Sequence, residues 1–167
     1  MHETADDLRT LQDLLDRSYA TAGPHLLQIH TPERRLGAAE LTTTLIGVCV
    51  LALATVTGDG RPLVAPVDGL FYRGAFWFGS SPDSVRFRHI RRSPAVSATH
   101  TRGESLAVTV HGIAVETTLG ADPGFAASCA EVYHPRYGDG WSQWAAAFPF
   151  ARIQAERMFA FASPGES

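Results

Sequence analysis

The sequence predicts a small antiparallel β-barrel with peripheral helices, mainly β within an α+β chain. Three observations carry this reading. Six extended segments follow one another at hairpin spacing, one helix interrupts them after the third, and the first 46 residues look helical and loop-like.

Taken in order, Thr4 to Tyr19 places Leu8, Leu11 and Leu15 at helical spacing, and Thr4 with Asp7 three residues later forms a capping pair. Gly23-Pro24 ends this helix. A second helix starts at Thr31-Pro32, and a third covers Ala38 to Leu45. The run VCVLALATVT (48–57) is β-branched and apolar on both parities, which suits a strand covered on both faces. TGDGRP makes a turn, and PLVAPVDGLF begins the second strand. YRG turns the chain into AFWFGS, a short aromatic strand. After an arginine-rich helix come AVSATHT and SLAVTVHGIAVET, two strands joined by RGE. A helix near Asp122 to Tyr133 has Pro123 in its first turn. The glycine-rich YGDG leads into WSQWAAAF, a short helix, and ERMFAFA reads as the last strand. The chain thus divides into an N-terminal helical extension, residues 1–46, and a barrel domain, residues 47–167.

Composition removes several function classes. A chain of 167 residues that is 45% hydrophobic fits one soluble domain with its own core. The net charge of -3 lacks the basic surplus of a nucleic-acid binder. All 14 basic side chains are arginines, so lysine Schiff-base chemistry is excluded. Cys49 and Cys129 stand in apolar surroundings without CxxC or CxxH spacing, and are expected as free buried thiols in a reducing compartment. The start MHETADDLRT is unlike a signal peptide, and no apolar run approaches the roughly 18 residues of a membrane span. A cytoplasmic location is expected. GxSxG, Walker A and GxGxxG patterns are missing, so hydrolase, P-loop and Rossmann readings lose their usual support. His89 and His100 lack a carboxylate or cysteine at ligand spacing, and no metal is assigned.

The segment SSPDSVRFRHIRRSPAV (80–96) concentrates Arg86, Arg88, Arg91 and Arg92 in one helix. Ser81 reads as its N-cap, Pro82 as its first position, Asp83 as part of its first turn and Pro94 as its stop. Free amides at 82–84 and the positive dipole end form an anion site, to which Ser80, Ser81 and Ser84 add hydroxyl donors. Arg86 can offer a phosphate two parallel hydrogen bonds. Arg88, Arg91 and Arg92 fall on other faces, towards solvent.

Leu51 to Glu116, about 65 of the 167 residues, resembles the FMN-binding split-barrel family, the pyridoxamine 5'-phosphate oxidase-like proteins. LATVTGDGRPLVAPV looks like the family's paired first strands. FWFGSSPDSVRFRHIRRSPAVS looks like its third strand, Ser-basic-basic helix and Asn/Ser-Pro-x-Val turn, and VTVHGIAVE like the closing strand with its glycine at Gly112. The resemblance implies a six-stranded split barrel binding FMN as a homodimer. It implies a phosphate held by Ser84 and Arg86, with Arg61 near another phosphate-binding arginine, and an isoalloxazine ring against Val64, Ala65, Pro66 and Val67. Val85 stands where many members have a second basic residue, and Ala107 where the oxidase has a glutamine on the ring. Pro66 removes one N–H, so its strand must lie at an edge or face a ligand. The arginine-and-histidine motif that grips pyridoxamine phosphate does not follow ERMFAFASPGES, so that substrate is not expected.

Trp141 and Trp144 are three apart, a spacing that usually means packing; in split barrels the C-terminal region often covers the neighbour's cofactor, and an indole suits a flavin. Asp68 beside the flavin edge is either a turn-forming Asp-Gly or an orienting group for substrate. The function expected is an FMN-dependent oxidoreductase acting on a small organic molecule. Two alternatives stand beside it. One is a reductase using the deazaflavin F-420, whose acidic tail would meet Arg88, Arg91 and Arg92. The other is a non-catalytic flavin or haem binder with His100 or His111 as axial ligand.

Overall fold

A two-residue turn sets the second hairpin of the protein, whose computed structural model describes residues 2–163. Arg73 and Gly74 adopt φ of 48° and 74°, the double positive φ of a turn matched to strand twist. This turn joins β2 (Pro62–Tyr72) to β3 (Ala75–Gly79), while β1 (Cys49–Val56) pairs with β2 on its other side. After α4 (Val85–Arg92) come β4 (Ala95–Arg102), β5 (Leu106–Thr118) and β6 (Pro149–Ala162). All pairings are antiparallel and the sheet closes in the order β1-β2-β3-β6-β5-β4. The expected six-stranded barrel with peripheral helices is the fold observed.

Inward side chains Leu51, Leu53, Phe76, Val108, Val110 and Ile153 fill the barrel. The same core takes in Leu11, Leu14 and Leu15 of α1 (Ala5–Ala20) and Leu41 and Leu45 of the α3 (Ala38–Thr44) region. Thr4 and Asp7 form the reciprocal cap at the start of α1. A second core lies outside the barrel, where Leu70, Tyr72, Trp77 and Phe150 meet α5 (Pro123–Tyr137) and α6 (Gly140–Ala147).

β3 is the shortest strand, and its length creates the split. It pairs with β2 only from Gly69 to Tyr72 and with β6 only from Phe150 to Arg152. The far part of β6 is served instead by the N-terminal segment. The Met158 amide donates to Ser18 Oγ at 2.9 Å, Tyr19 Oη donates to the Ala160 carbonyl at 2.8 Å, and the Leu36 amide reaches the same carbonyl at 3.2 Å. The first half of β2, residues 62–68, keeps an unpaired edge facing the gap.

Four local expectations are corrected. Pro24 starts a helix, α2 (Pro24–Ile29), because its fixed φ suits a first helical position. The segment at Thr31-Pro32 forms only a 3₁₀ turn, Pro32–Arg34. β6 begins at Pro149 rather than Glu156, since a strand's first residue needs no ladder N–H and β5 offers partners along its whole length. β1 is covered on its inner face only: Val50 is 51% exposed and Ala52 is also exposed.

The register of β5 and β6 slips once, with His111 opposite Arg157 and Gly112 opposite Ala155. A Cβ on Gly112 would lie 2.1 Å from the Gln154 carbonyl oxygen, so this closing bulge tolerates only glycine. Residues 164–167, the end of the expected barrel domain, lie outside the described residues.

Candidate functional site

Arg86 bridges the split in the barrel. Its guanidinium donates to the Pro66 carbonyl at 2.8 Å and to Ser80 Oγ at 3.1 Å, joining the free edge of β2 to the end of β3. In an antiparallel strand a residue's N–H and C=O point to the same side. The N–H that Pro66 lacks would therefore face the gap, and no ladder bond is lost. Burial holds the Arg86 guanidinium below its ordinary pKa. No carboxylate lies within ion-pair distance of it among the described residues.

The start of α4 differs from expectation. Ser84, not Ser81, is the N-cap, with extended backbone and Oγ accepting from the Phe87 amide at 3.4 Å. Ser81 to Ser84 form a turn instead, closed by the Ser84 amide on the Ser81 carbonyl at 3.0 Å. Pro82 has no amide and that of Ser84 is spent on the turn, so of the amides at 82–84 that of Asp83 alone keeps no acceptor among the described residues. The first amides of the helix proper belong to Val85 and Arg86, which have no intrahelical acceptor. Ser80 and Ser84 stay close to Arg86 through hydrogen bonding and adjacency, while Ser81 is exposed on the turn.

The other arginines of α4 are differently employed. Arg91 grips Glu116 through two hydrogen bonds of 2.9 and 2.7 Å, and Arg92 donates to the Val56 carbonyl. Arg88, Arg91 and Arg92 are all exposed, as expected, and Arg91 and Arg92 are in addition tied to protein acceptors. Arg61 sits in the β1–β2 turn, exposed and paired with Asp59 at 2.8 Å. Five residues of extended chain separate it from Pro66, about 16 Å. The single chain does not bring Arg61 to Arg86.

Along β2, Val64 is 62% exposed and Pro66 is exposed, Ala65 is half-buried, and Val67 turns into the barrel. Two residues beyond Pro66, Asp68 meets α5: the Tyr137 hydroxyl donates to Asp68 Oδ2 at 3.0 Å, and this bond raises the Tyr137 pKa. A cleft of about 430 Å³ opens there, with Asp68, Gly79 and Phe150 on the strand side and Tyr133, Tyr137, Trp141 and Trp144 on the helical side. Trp141 is buried and stacks on Tyr133 at 5.7 Å between ring centroids, whereas Trp144 is 48% exposed. Both tryptophans reach the cleft, but only Trp141 packs in the core. Tyr133 and Tyr137 escaped the sequence reading; their i, i+4 spacing on one helix was the available signal.

The two histidines considered as axial ligands part company. His100 is buried with Nδ1 on the Val50 carbonyl, and its Nε2 has no partner. His111 is exposed on the outer face of β5 with Nδ1 2.8 Å from Ser97 Oγ. Ala107 lies half-buried on the same outer face, opposite Phe161.

Neither a family model nor a curated protein sequence matches the chain. Solved structures do. A conserved hypothetical protein of Mycobacterium tuberculosis is 21% identical, with 83% of this chain and 95% of that one covered and a TM-score of 0.66. An FAD-binding protein of Mesorhizobium loti is 25% identical over 78% and 97%, TM-score 0.55. A pyridoxamine 5'-phosphate oxidase-like protein of Listeria innocua is 19% identical over 68% and 89%, TM-score 0.54. An F420 reductase (18% identical, TM-score 0.52) and a haem storage protein of Vibrio cholerae (23%, 0.53) share the architecture. The fold is thus the split barrel of the oxidase-like, flavin-binding proteins.

Proposed function

We propose that the protein is a homodimeric oxidoreductase that holds FMN in the split between β2 and β3 and acts on a small organic substrate. Arg86 carries the reading. A half-buried guanidinium without a carboxylate is costly unless an anion completes it, and the Val85 and Arg86 amides at the helix start favour the same charge. The residues present fit a flavin phosphate there. The unpaired edge from Val64 to Asp68 offers backbone donors and acceptors to a planar ring. Solved neighbours described as FAD-binding and as an F420 reductase support a flavin-type cofactor.

FMN, when bound, supplies the hydride chemistry. The chain's own part is to grip the phosphate, hold the ring against β2 and exclude water. FMN is favoured over F-420 because Arg91 and Arg92 already have protein acceptors, leaving a long acidic tail only Arg88 of the three. Of the two candidate haem ligands, His100 faces a filled barrel interior, which leaves His111. The homodimer reading is supported by the outer face of β1, β4 and β5, where Val50, Ala52, Ser97, Thr99 and Thr109 present small uncharged side chains that a second copy would cover.

The test is the absorption spectrum of the protein purified from a flavin-containing host, with mass spectrometry of any released ligand and titration of FMN, F-420 and haem. A flavin spectrum and an FMN mass are expected. A colourless protein that takes up none of the three would overturn the proposal.

A further inference from the structure

The cleft beside Asp68 adjoins the Arg86 anion site: Gly79 and Asp68 line it, next to the Ser80 and Pro66 that Arg86 contacts. Its helical walls are aromatic. Tyr137, Tyr133 and Trp141 form a near-parallel series, with interplanar angles of 31° and 23°, and the half-exposed ring of Trp144 faces the opening. Against these rings stands one charged group, the half-buried Asp68 carboxylate. It accepts a hydrogen bond from Tyr137, and no arginine or histidine lies within ion-pair distance among the described residues. Ring faces are electron-rich and attract cations, and a carboxylate with vacant lone pairs seeks N–H donors. An anionic ligand would meet repulsion from Asp68; the cation at the cleft's edge, Arg136, sits 5.9 Å from the Tyr137 ring centroid and is not part of the lining.

We infer that this cleft binds a planar heteroaromatic molecule carrying a positive charge or an N–H donor, with its ring against the exposed Tyr137 and Trp144 at the rim of the Tyr133–Trp141 stack and its nitrogen on Asp68. A volume of about 430 Å³ admits a two- or three-ring compound. Two residues of extended β2 separate Asp68 from Pro66, about 7 Å, so such a ligand lies next to a ring held on the Val64–Val67 edge. Its role as the substrate rests on the flavin proposal; the charge preference of the cleft does not.

The experiment titrates the FMN-treated protein calorimetrically with N-methylquinolinium, 1-methylnaphthalene and 1-naphthoate, three bicyclic probes differing in charge, while flavin absorbance reports retention of the cofactor. The quinolinium is expected to bind at least about tenfold more tightly than the naphthoate, without releasing flavin. Asp68→Asn, which still accepts from Tyr137, should erase that preference; Tyr137→Phe should keep it; Trp144→Ala should weaken the quinolinium and the neutral probe alike. Equal or tighter naphthoate binding, a preference that survives Asp68→Asn, or displacement of flavin by the quinolinium overturns the inference. Failure to bind FMN together with an intact cation preference defeats the flavin proposal and leaves the cleft assignment standing.

Discussion

The Arg86 guanidinium donates to the Pro66 carbonyl at 2.8 Å. That bond ties the helix after β3 to the stretch of β2 that is paired with β1 on one edge and has no strand on the other. It also positions a cation where the barrel is open.

If this cation holds a phosphate, Arg86→Ala should weaken FMN binding by about 10–100-fold, the equivalent of the roughly 1.5–3 kcal/mol of a hydrogen bond to a charged group. Arg92→Ala, which removes a contact to the Val56 carbonyl on the far side of the helix, should change it less than about twofold. Titration followed by flavin fluorescence measures both, and equal losses would remove the phosphate assignment.

The uncovered face of β1 gives a prediction about assembly. Ala52→Glu places a charge in the small, uncharged surface assigned to the partner, in the row formed with Thr99 and Thr109. Analytical ultracentrifugation should show a dimer for the parent and a monomer for the variant. A parent chain that sediments as a monomer would refute the assignment.

Gly112→Ala drives a methyl group into the Gln154 carbonyl. Since a backbone atom cannot step aside, the cost should reach the upper part of the about 1–3 kcal/mol range for overpacking. Gly120→Ala, with open space around the new Cβ, should stay within about 0.5 kcal/mol. Urea unfolding midpoints compare the two.

Asp7 receives hydrogen bonds from Arg73 and from the Thr4 amide, and the Arg73 contact foremost holds its pKa below the usual carboxylate value. A depressed folded pKa means that the stabilisation is complete above the unfolded pKa, near 4, and disappears as pH falls through the lower folded value. Thermal melts from pH 7 to pH 3 should show this loss, and Asp7→Ala should flatten that part of the profile. An unchanged profile in the variant would exclude Asp7 as its source.

Cys49 and Cys129 are buried in different cores, and burial pushes their thiols up to about 11 and about 12. Both should react with a thiol reagent only when the chain unfolds, because the thiolate is the nucleophile. Rapid labelling of native protein would contradict their placement.

Sequence determined the strands, their order and the arginine helix, because alternation, turn residues and capping chemistry act over a few neighbouring residues. Thr4 with Asp7, Asp122 before Pro123, and Gly74 in the β2–β3 turn all serve locally as their residue types indicate. Arg86 was legible too, through its place after a helix-capping serine. The cap itself was misplaced by three positions, since Ser81 and Ser84 are locally equivalent and only the turn closed by the Ser84 amide separates them. Tertiary structure alone decided that Arg91 is neutralised by Glu116, 25 residues away, and that Arg61 stays apart with Asp59. It also decided that Asp68 meets Tyr137 across 69 residues to shape the cleft. Such contacts depend on where a short β3 leaves the barrel open and where α5 lands on it, and no nearest-neighbour rule along the chain encodes either distance.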